Sequence, residues 1–392
     1  MRTSSKGNDR NKDPLIVRGS LDIGFFAIVM ILLSVGIVMM FSASYVNANY
    51  STGNPYYYFK RQALFAVAGI VAMLIMSRIN VKIFKKMAYP LLIVSIGLLI
   101  LVLIFPYQLP GKEEFKRWLG FGSFSFQPSE IAKFAIIVFC SKILSLKNKI
   151  TIKGRDMSLP ICLAAGLTMC GLIVFEKHLS CIILIFGLVV VMMILGGLNR
   201  GLITVGLLGA ALCLVLIFVF KDQILEILPS GRVADRIISW LDKDSASLSE
   251  RWQTNQSLYA IGSGGLFGLG LGNSKQKHLY MPEPQNDFIF AIICEELGFI
   301  GAVVIILLFA VLIWRGFVIA LRTSDKFSAF LVMGIVAHVG IQTILNILVV
   351  TDAIPNTGIS LPFFSYGGTA LMMLLGEMGV VLSVSRNSSN RK

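Results

Sequence analysis

What most restricts this chain is a succession of apolar runs too long for a soluble core. A membrane-crossing helix needs about 20 mostly apolar residues. About ten runs of that order follow one another: Leu21–Phe41, Gln62–Met76, Leu91–Phe105, Pro128–Ser141, Leu159–Phe175, Leu179–Leu198, Gly201–Phe220, Asp287–Trp314, Phe330–Val350 and Leu361–Val384. Hydrophobic residues are 56% of the 392 and charged residues 14%, which excludes a soluble globular protein of this size. A transmembrane β-barrel is excluded too, because its strands would alternate in segments of about ten residues. The expected fold is all-α: a polytopic membrane protein of about ten helices.

The net charge of +14 is not spread evenly. Basic residues follow the second run (Arg78, Lys82, Lys85, Lys86), the fourth (Lys142, Lys147, Lys149, Lys153, Arg155) and the sixth (Arg200). They follow the eighth as well (Arg315, Arg322, Lys326), and both tails carry them. Alternate loops are therefore basic, and the positive-inside bias puts them, with both termini, in the cytoplasm. Topology accounts for the charge better than nucleic-acid binding does. The outward segments are then Ser42–Tyr58, Gly111–Gln127, Glu176–His178, Lys221–Asn286 and Thr351–Ser360. Residues 1–20 read as a disordered basic tail with no cleavable signal, 21–385 as one membrane domain with a large outer loop at 221–286, and 386–392 as a second tail. The six cysteines all lie in apolar runs and form no disulfide or zinc framework.

The polar constellations gather at the outward mouths. Met281–Gly298 joins the large loop to the eighth run. Asp287 stands at the boundary, and Glu295 and Glu296 follow inside. Acids within a span are costly and mark function. Asp287 can be a helix N-cap or a reactive carboxylate. Glu130 and Lys133 share a helix face, as a structural ion pair or as the wall of a polar cavity. Arg117-Trp118 fits an anion contact or a belt aromatic with a solvated neighbour. The glycine-rich Ala260–Gly272 permits close approach to another helix or to a ligand phosphate, and lacks the βαβ context of a dinucleotide site. Lys275, Lys277 and His278 read as an anion site or a solvated basic run. His338, Gln342 and Asn346 form a polar helix face, and Glu377 lies in the last run. Pro355–Thr369, with two prolines and three glycines at a membrane boundary, is expected to line the outer cavity.

Four motifs fall in order: Arg117-Trp118 with Gln127-Pro-Ser-Glu130 and Lys133; Ser257–Gly272; Pro282-Glu283 with Asp287-Phe-Ile-Phe-Ala and Glu295-Glu-Leu-Gly298; and Pro355–Gly368. In this the chain resembles the SEDS family (shape, elongation, division and sporulation), the FtsW/RodA/SpoVE group, from Leu21 to Val384. The resemblance implies a peptidoglycan glycosyltransferase that polymerises lipid II on the outer face of the cell membrane. It implies a class B penicillin-binding protein as partner, together with other divisome or elongation proteins. Asp287 matches the family's catalytic aspartate, and Glu130 and Lys133 match its fourth-helix pair. With the basic run, the motifs nominate Arg117, Gln127, Glu130, Lys133, Ser257, Lys275, Lys277, Glu283, Thr357 and Ser365 as the substrate-binding set. No cofactor is implied beyond a divalent cation, Mg or Mn, on the diphosphate. One departure stands out: Glu176-Lys-His-Leu-Ser180 has His178 where the family pattern has Asp and Lys177 where it has Pro. The rival classes are a lipid II flippase, for which inverted repeats and broken helices are expected, and a non-catalytic scaffold for the transpeptidase.

Overall fold

The protein is described by a computed structural model covering residues 19–107, 116–121, 124–146, 150–152, 155–219, 236, 239–241 and 248–389. The two tails and much of the large loop lie outside the described residues. Eleven helices of eight or more residues are described: α1 (Ile23–Thr52), α2 (Tyr57–Met76), α3 (Lys82–Ile104), α4 (Pro128–Leu144), α5 (Ser158–Phe175), α6 (Leu179–Leu195), α7 (Arg200–Val219), α8 (Leu248–Gly264), α9 (Ile289–Arg322), α10 (Lys326–Val350) and α11 (Gly368–Ser389). Two antiparallel hairpins interrupt them: β1 (Leu119–Phe121) with β2 (Phe124–Phe126), and β3 (Thr151–Ile152) with β4 (Arg155–Asp156). Among the described residues seven helices are long and apolar enough to span a membrane: α1, α2, α3, α5, α9, α10 and α11. At 17 residues each, α4 and α6 are shorter. The chain is a multi-pass helical membrane protein.

Every predicted run lies on a helix, but several boundaries differ for physical reasons. The loop expected after Phe41 is helical to Thr52, because Ser42, Ala43, Ser44 and Ala48 are buried against neighbouring protein. Small polar residues packed in this way extend a helix that a hydropathy reading ends early. Gly53, in the left-handed region (φ 69°), closes it with its N–H on the Asn49 carbonyl. The basic stretch at Lys82–Lys86 forms the first turns of α3, which continues through Pro90. The tenth run stays irregular from Leu361 to Tyr366 and becomes helical only at Gly368. There the Leu361 N–H is taken by Ser365 Oγ (2.7 Å) and the Tyr366 N–H by the Gln285 carbonyl (2.8 Å).

The segments expected outside meet one another. Asn47 donates to Gln285 (3.4 Å), Trp252 to the Tyr280 carbonyl (2.5 Å) and Arg117 to the Glu176 carbonyl (3.3 Å). At the opposite end, Asp22 pairs with Arg315 (3.0 Å), the Asp22 N–H meets Ser385 Oγ (3.2 Å), and Arg386 meets the Gly19 carbonyl (2.9 Å).

α9 is broken inside. Gly298 (φ 69°, ψ −171°) interrupts the helix, which frees the carbonyls of Glu295 and Glu296 and the N–H groups of Phe299 and Ile300. The glycine-rich loop satisfies all four. Leu269 and Gly270 donate to the two carbonyls (2.9 and 3.0 Å), while Phe299 and Ile300 donate to the carbonyls of Gly265 and Leu266 (2.9 and 3.2 Å). A break at membrane depth is tolerated only when protein supplies such partners. The two backbones touch: a Cβ on Gly298 would lie 2.3 Å from the Gly268 nitrogen, and one on Gly268 would lie 2.2 Å from the Glu296 carbonyl oxygen. This settles the glycine-rich stretch as a helix-packing element. Gly298→Ala is expected to cost roughly 2–4 kcal/mol, through the strained φ and the backbone clash. Thermal unfolding in detergent would show a clear loss, and an unchanged midpoint would contradict the assignment.

Candidate active site

The two acids just before the break are anchors. The Glu295 carboxylate accepts from Ser274 Oγ (2.5 Å) and from the N–H groups of Lys275 (2.8 Å) and Gln276 (3.4 Å). Glu296 accepts from Ser42 Oγ (2.7 Å) and the Ser274 N–H (3.4 Å), and pairs with Lys277 Nζ (2.8 Å). Both carboxylates hold the 274–277 turn against α9.

Asp287 lies just upstream and does not cap the helix. The N-cap is Phe288, two residues after the last proline-stiffened turn, with no side-chain cap bond. Asp287 is partly buried. Asn346 of α10 donates to both the Asp287 and the Ile359 carbonyls (2.7 Å each), fixing the entry of α9 to the 355–360 segment. Gly358 faces the Asp287 carboxylate: a Cβ there would lie 3.5 Å from Oδ2, and its φ of 73° suits glycine.

From Gly358 the polar contacts run to α4. The neighbouring Thr357 is buried, and its carbonyl accepts from Ser180 Oγ at the start of α6. Two residues before Ser180, His178 meets Gln127 through Nδ1 (3.1 Å). Gln127 is the N-cap of α4 and uses its amide on His178 rather than on the helix. One turn on, Glu130 and Lys133 pair at 2.8 Å with side chains 16% and 6% exposed, so both charges enter the bundle as a pair. Arg117 donates to the carbonyls of Glu176 and Lys177, where Lys177 adopts φ 54°.

The titrating groups of these turns lie outside the spans. Burial lowers the Arg117 guanidinium to about 10, so it stays charged at neutral pH. Burial, with Arg117 and Lys133 nearby, pushes His178 well down and keeps its imidazole neutral. The carboxyl of Glu176, fully enclosed, is pushed up to about 8 by burial, against the pull of Arg117. A carboxyl raised in the fold binds its proton more tightly there than in the unfolded chain. Stability contributed by protonated Glu176 is therefore lost as pH rises from the ordinary carboxylate range to about 8. Glu176→Gln is expected to flatten this part of the stability–pH curve in detergent. An identical slope in the variant would refute the assignment.

Of the residues nominated from sequence, the structure gathers Arg117, Gln127, Glu130, Lys133 and Thr357 in the chain of contacts that ends at Asp287. Others lie outside that chain of contacts. Ser257 is buried and donates to the Val350 carbonyl (2.7 Å), pinning α8 to α10. Ser365 serves the Leu361 turn. The ammonium of Lys277 is held by Glu296 and buried. Lys275 is exposed, and Glu283 (φ 46°), also exposed, accepts from Asn286 (2.7 Å). Ser180 and Gly358 were not nominated individually, although each lies in a segment the sequence marked, 176–180 and 355–369. Asn346 was read as part of a polar face, but nothing in its spacing pointed at Asp287. Among the described residues no group of three or more His, Cys, Asp or Glu side chains could hold a metal ion.

A charge swap tests the pair: Glu130→Lys with Lys133→Glu is expected to restore folding to near wild-type Tm while leaving activity low. Recovery of full activity would reduce the pair to a structural ion bridge.

A multi-pass helical membrane protein is the class these features define. Residues 23–390 match the FtsW/RodA/SpoVE family model, described as cell cycle protein, and the chain belongs to that family. Stage V sporulation protein E of Bacillus subtilis (strain 168) is 40% identical over 388 residues, covering 94% of this chain and 98% of that one. The probable peptidoglycan glycosyltransferase FtsW of Trichlorobacter lovleyi is 35% identical, covering 93% of each. Among solved structures, the rod shape determining protein RodA of Thermus thermophilus is 25% identical with a TM-score of 0.67, covering 94% of this chain and 97% of that one. A chain from a peptidoglycan synthase complex that coordinates polymerization and crosslinking has a TM-score of 0.74 at 24% identity, covering 94% and 98%, a likeness of fold.

Proposed function

We propose that this protein is a peptidoglycan glycosyltransferase that polymerises lipid II into glycan strands at the outer face of the cell membrane, in septal wall synthesis, with Asp287 as general base. The observation that carries the reading is the line of contacts joining a partly buried Asp287, through Gly358, Thr357 and Ser180, to the charged groups of α4 and the α5–α6 turn. The names of the FtsW relatives support the activity.

In the reaction, Asp287 takes the proton of an acceptor sugar hydroxyl. The oxygen attacks the anomeric carbon of the donor, and the bond from that carbon to the lipid diphosphate breaks. The departing diphosphate gains negative charge, and Arg117 and Lys133 offer positive charge to meet it. His178, neutral in place of an aspartate, orients Gln127 and adds no negative charge beside the diphosphate. The lipid tail stays in the bilayer while the headgroup reaches the polar end. The partner is a class B penicillin-binding protein, a reading supported by the fold shared with a chain of a peptidoglycan synthase complex.

A single displacement inverts the anomeric centre, so α-linked donor becomes β-linked polymer. Product made by the purified protein should be cut by a muramidase specific for β-linked glycan. A polymer that resists the muramidase would contradict the mechanism. Charged groups within the bundle and a broken helix are also what a flippase reading expects, but the freed backbone of α9 is closed by the glycine-rich loop.

A further inference from the structure

Behind Glu130 lies a cavity of about 50 Å³ that the reaction above does not use. It is bounded by α4, α10, α11 and the irregular 360–367 segment, and its polar wall includes Glu130, His338, Gln342, Ser360 and Glu377. His338 is 3% exposed; its Nδ1 is taken by Glu377 Oε2 at 2.9 Å, while its Nε2 is buried with no partner among the described residues. A buried ring nitrogen without a partner costs free energy unless water reaches it. Gln342 donates to Ser360 Oγ (3.0 Å), which leaves the Ser360 hydroxyl proton to be given elsewhere. Glu377 is also one of the charges acting on Lys133. The two buried pairs, Glu130–Lys133 and His338–Glu377, therefore face each other across a small polar space.

We propose that this cavity holds an ordered water that ties His338 Nε2 to the Glu130 carboxylate, making His338 and Glu377 positioning residues for the Glu130–Lys133 pair. A buried water commonly makes about three hydrogen bonds. Here it accepts from the Ser360 hydroxyl and donates to His338 Nε2 and to Glu130. In the tautomer that directs Nδ1–H at the Glu377 carboxylate, Nε2 is an acceptor and matches a water donor. The water fixes the rotamer of Glu130, Glu130 fixes Lys133, and the ammonium is held where the leaving diphosphate needs it. The consequence for catalysis rests on the proposed polymerase activity; the water itself does not.

Two readouts separate the parts. The first is density: a map of the wild-type full-length protein at a resolution that shows waters should contain a peak within hydrogen-bond distance of His338 Nε2. A dry cavity overturns the proposal whatever the activity. The second is kinetic. Ala370→Leu fills the cavity from α11 without changing any of the polar groups, and His338→Phe removes the ring nitrogens. Both are expected to lower kcat about tenfold to a hundredfold through misplacement of the pair, with KM for lipid II nearly unchanged. His338→Gln, which keeps a hydrogen-bonding side chain, should recover most of kcat. Wild-type kcat in both Ala370→Leu and His338→Phe would overturn the positioning role, as would equal loss in His338→Gln. Should a variant fail to elute as a folded species, the density readout on the wild type still decides. An inactive wild type would sink the polymerase reading and leave the water question to the map.

Discussion

Replacing Asp287 with asparagine is expected to reduce polymerisation by about 10²–10⁴-fold, the range spanned by a positioned general base, while the thermal midpoint stays at the wild-type value. The contrast is sharp because the start of α9 does not use the carboxylate as its N-cap. The N-cap of α9 is Phe288, and the segment is held by its backbone: Asn346 grips the Asp287 carbonyl, which asparagine keeps. Asparagine also fits beside Gly358, where the wild-type carboxylate already lies. Loss of activity with loss of fold would point to a structural acid instead. Polymerisation assays on lipid II, run beside thermal unfolding of the same preparation, give both numbers.

Lys277→Met is expected to act in the opposite way, on stability first. Lys277 and Glu296 are 5% and 0% exposed, and Ser42 completes the group through both Lys277 Nζ (3.1 Å) and the Glu296 carboxylate. Removing the ammonium leaves a buried carboxylate beside the break in α9, at a cost of roughly 3–5 kcal/mol. Adding Glu296→Gln should return a large part of that loss, because the stranded charge is gone. Detergent unfolding midpoints of the two single variants and the double variant form the cycle. If Lys277 served the diphosphate rather than the fold, the single variant would keep its midpoint and lose activity, and Glu296→Gln would restore nothing.

These two residues also show how far the sequence reaches. Asp287 and Glu296 are both acids at or inside an apolar run, and residue type alone cannot separate them. What marks Glu295 and Glu296 is a loop: the 274–277 turn folds back onto both carboxylates. The helices themselves were legible, because each apolar run must bury its backbone bonds in a helix to cross a bilayer. Their ends were less so. Ser42–Thr52 reads as polar and is helical, since its small residues pack against protein, and Leu361–Tyr366 reads as apolar and is not, since its N–H groups find Ser365 and Gln285. The glycine-rich stretch announced a close approach but not its target, which is the break at Gly298. In the site, Arg117, Glu130 and Lys133 were visible as charges in the wrong solvent. Ser180 and Gly358 were not, because their roles depend on segments about 180 and 70 residues away in the chain that meet only in the fold, through ordinary hydrogen bonds and close contacts.

The central claim is that the polar end of this bundle joins sugars. It is tested most directly by placing the purified full-length protein, alone and with a class B penicillin-binding partner, in vesicles that carry lipid II in one leaflet, and following glycan product and headgroup translocation in the same sample. The account predicts glycan strands that vanish with Asp287→Asn and no transfer of headgroups between leaflets. Headgroups crossing without polymer, or neither event with the partner present, would contradict it.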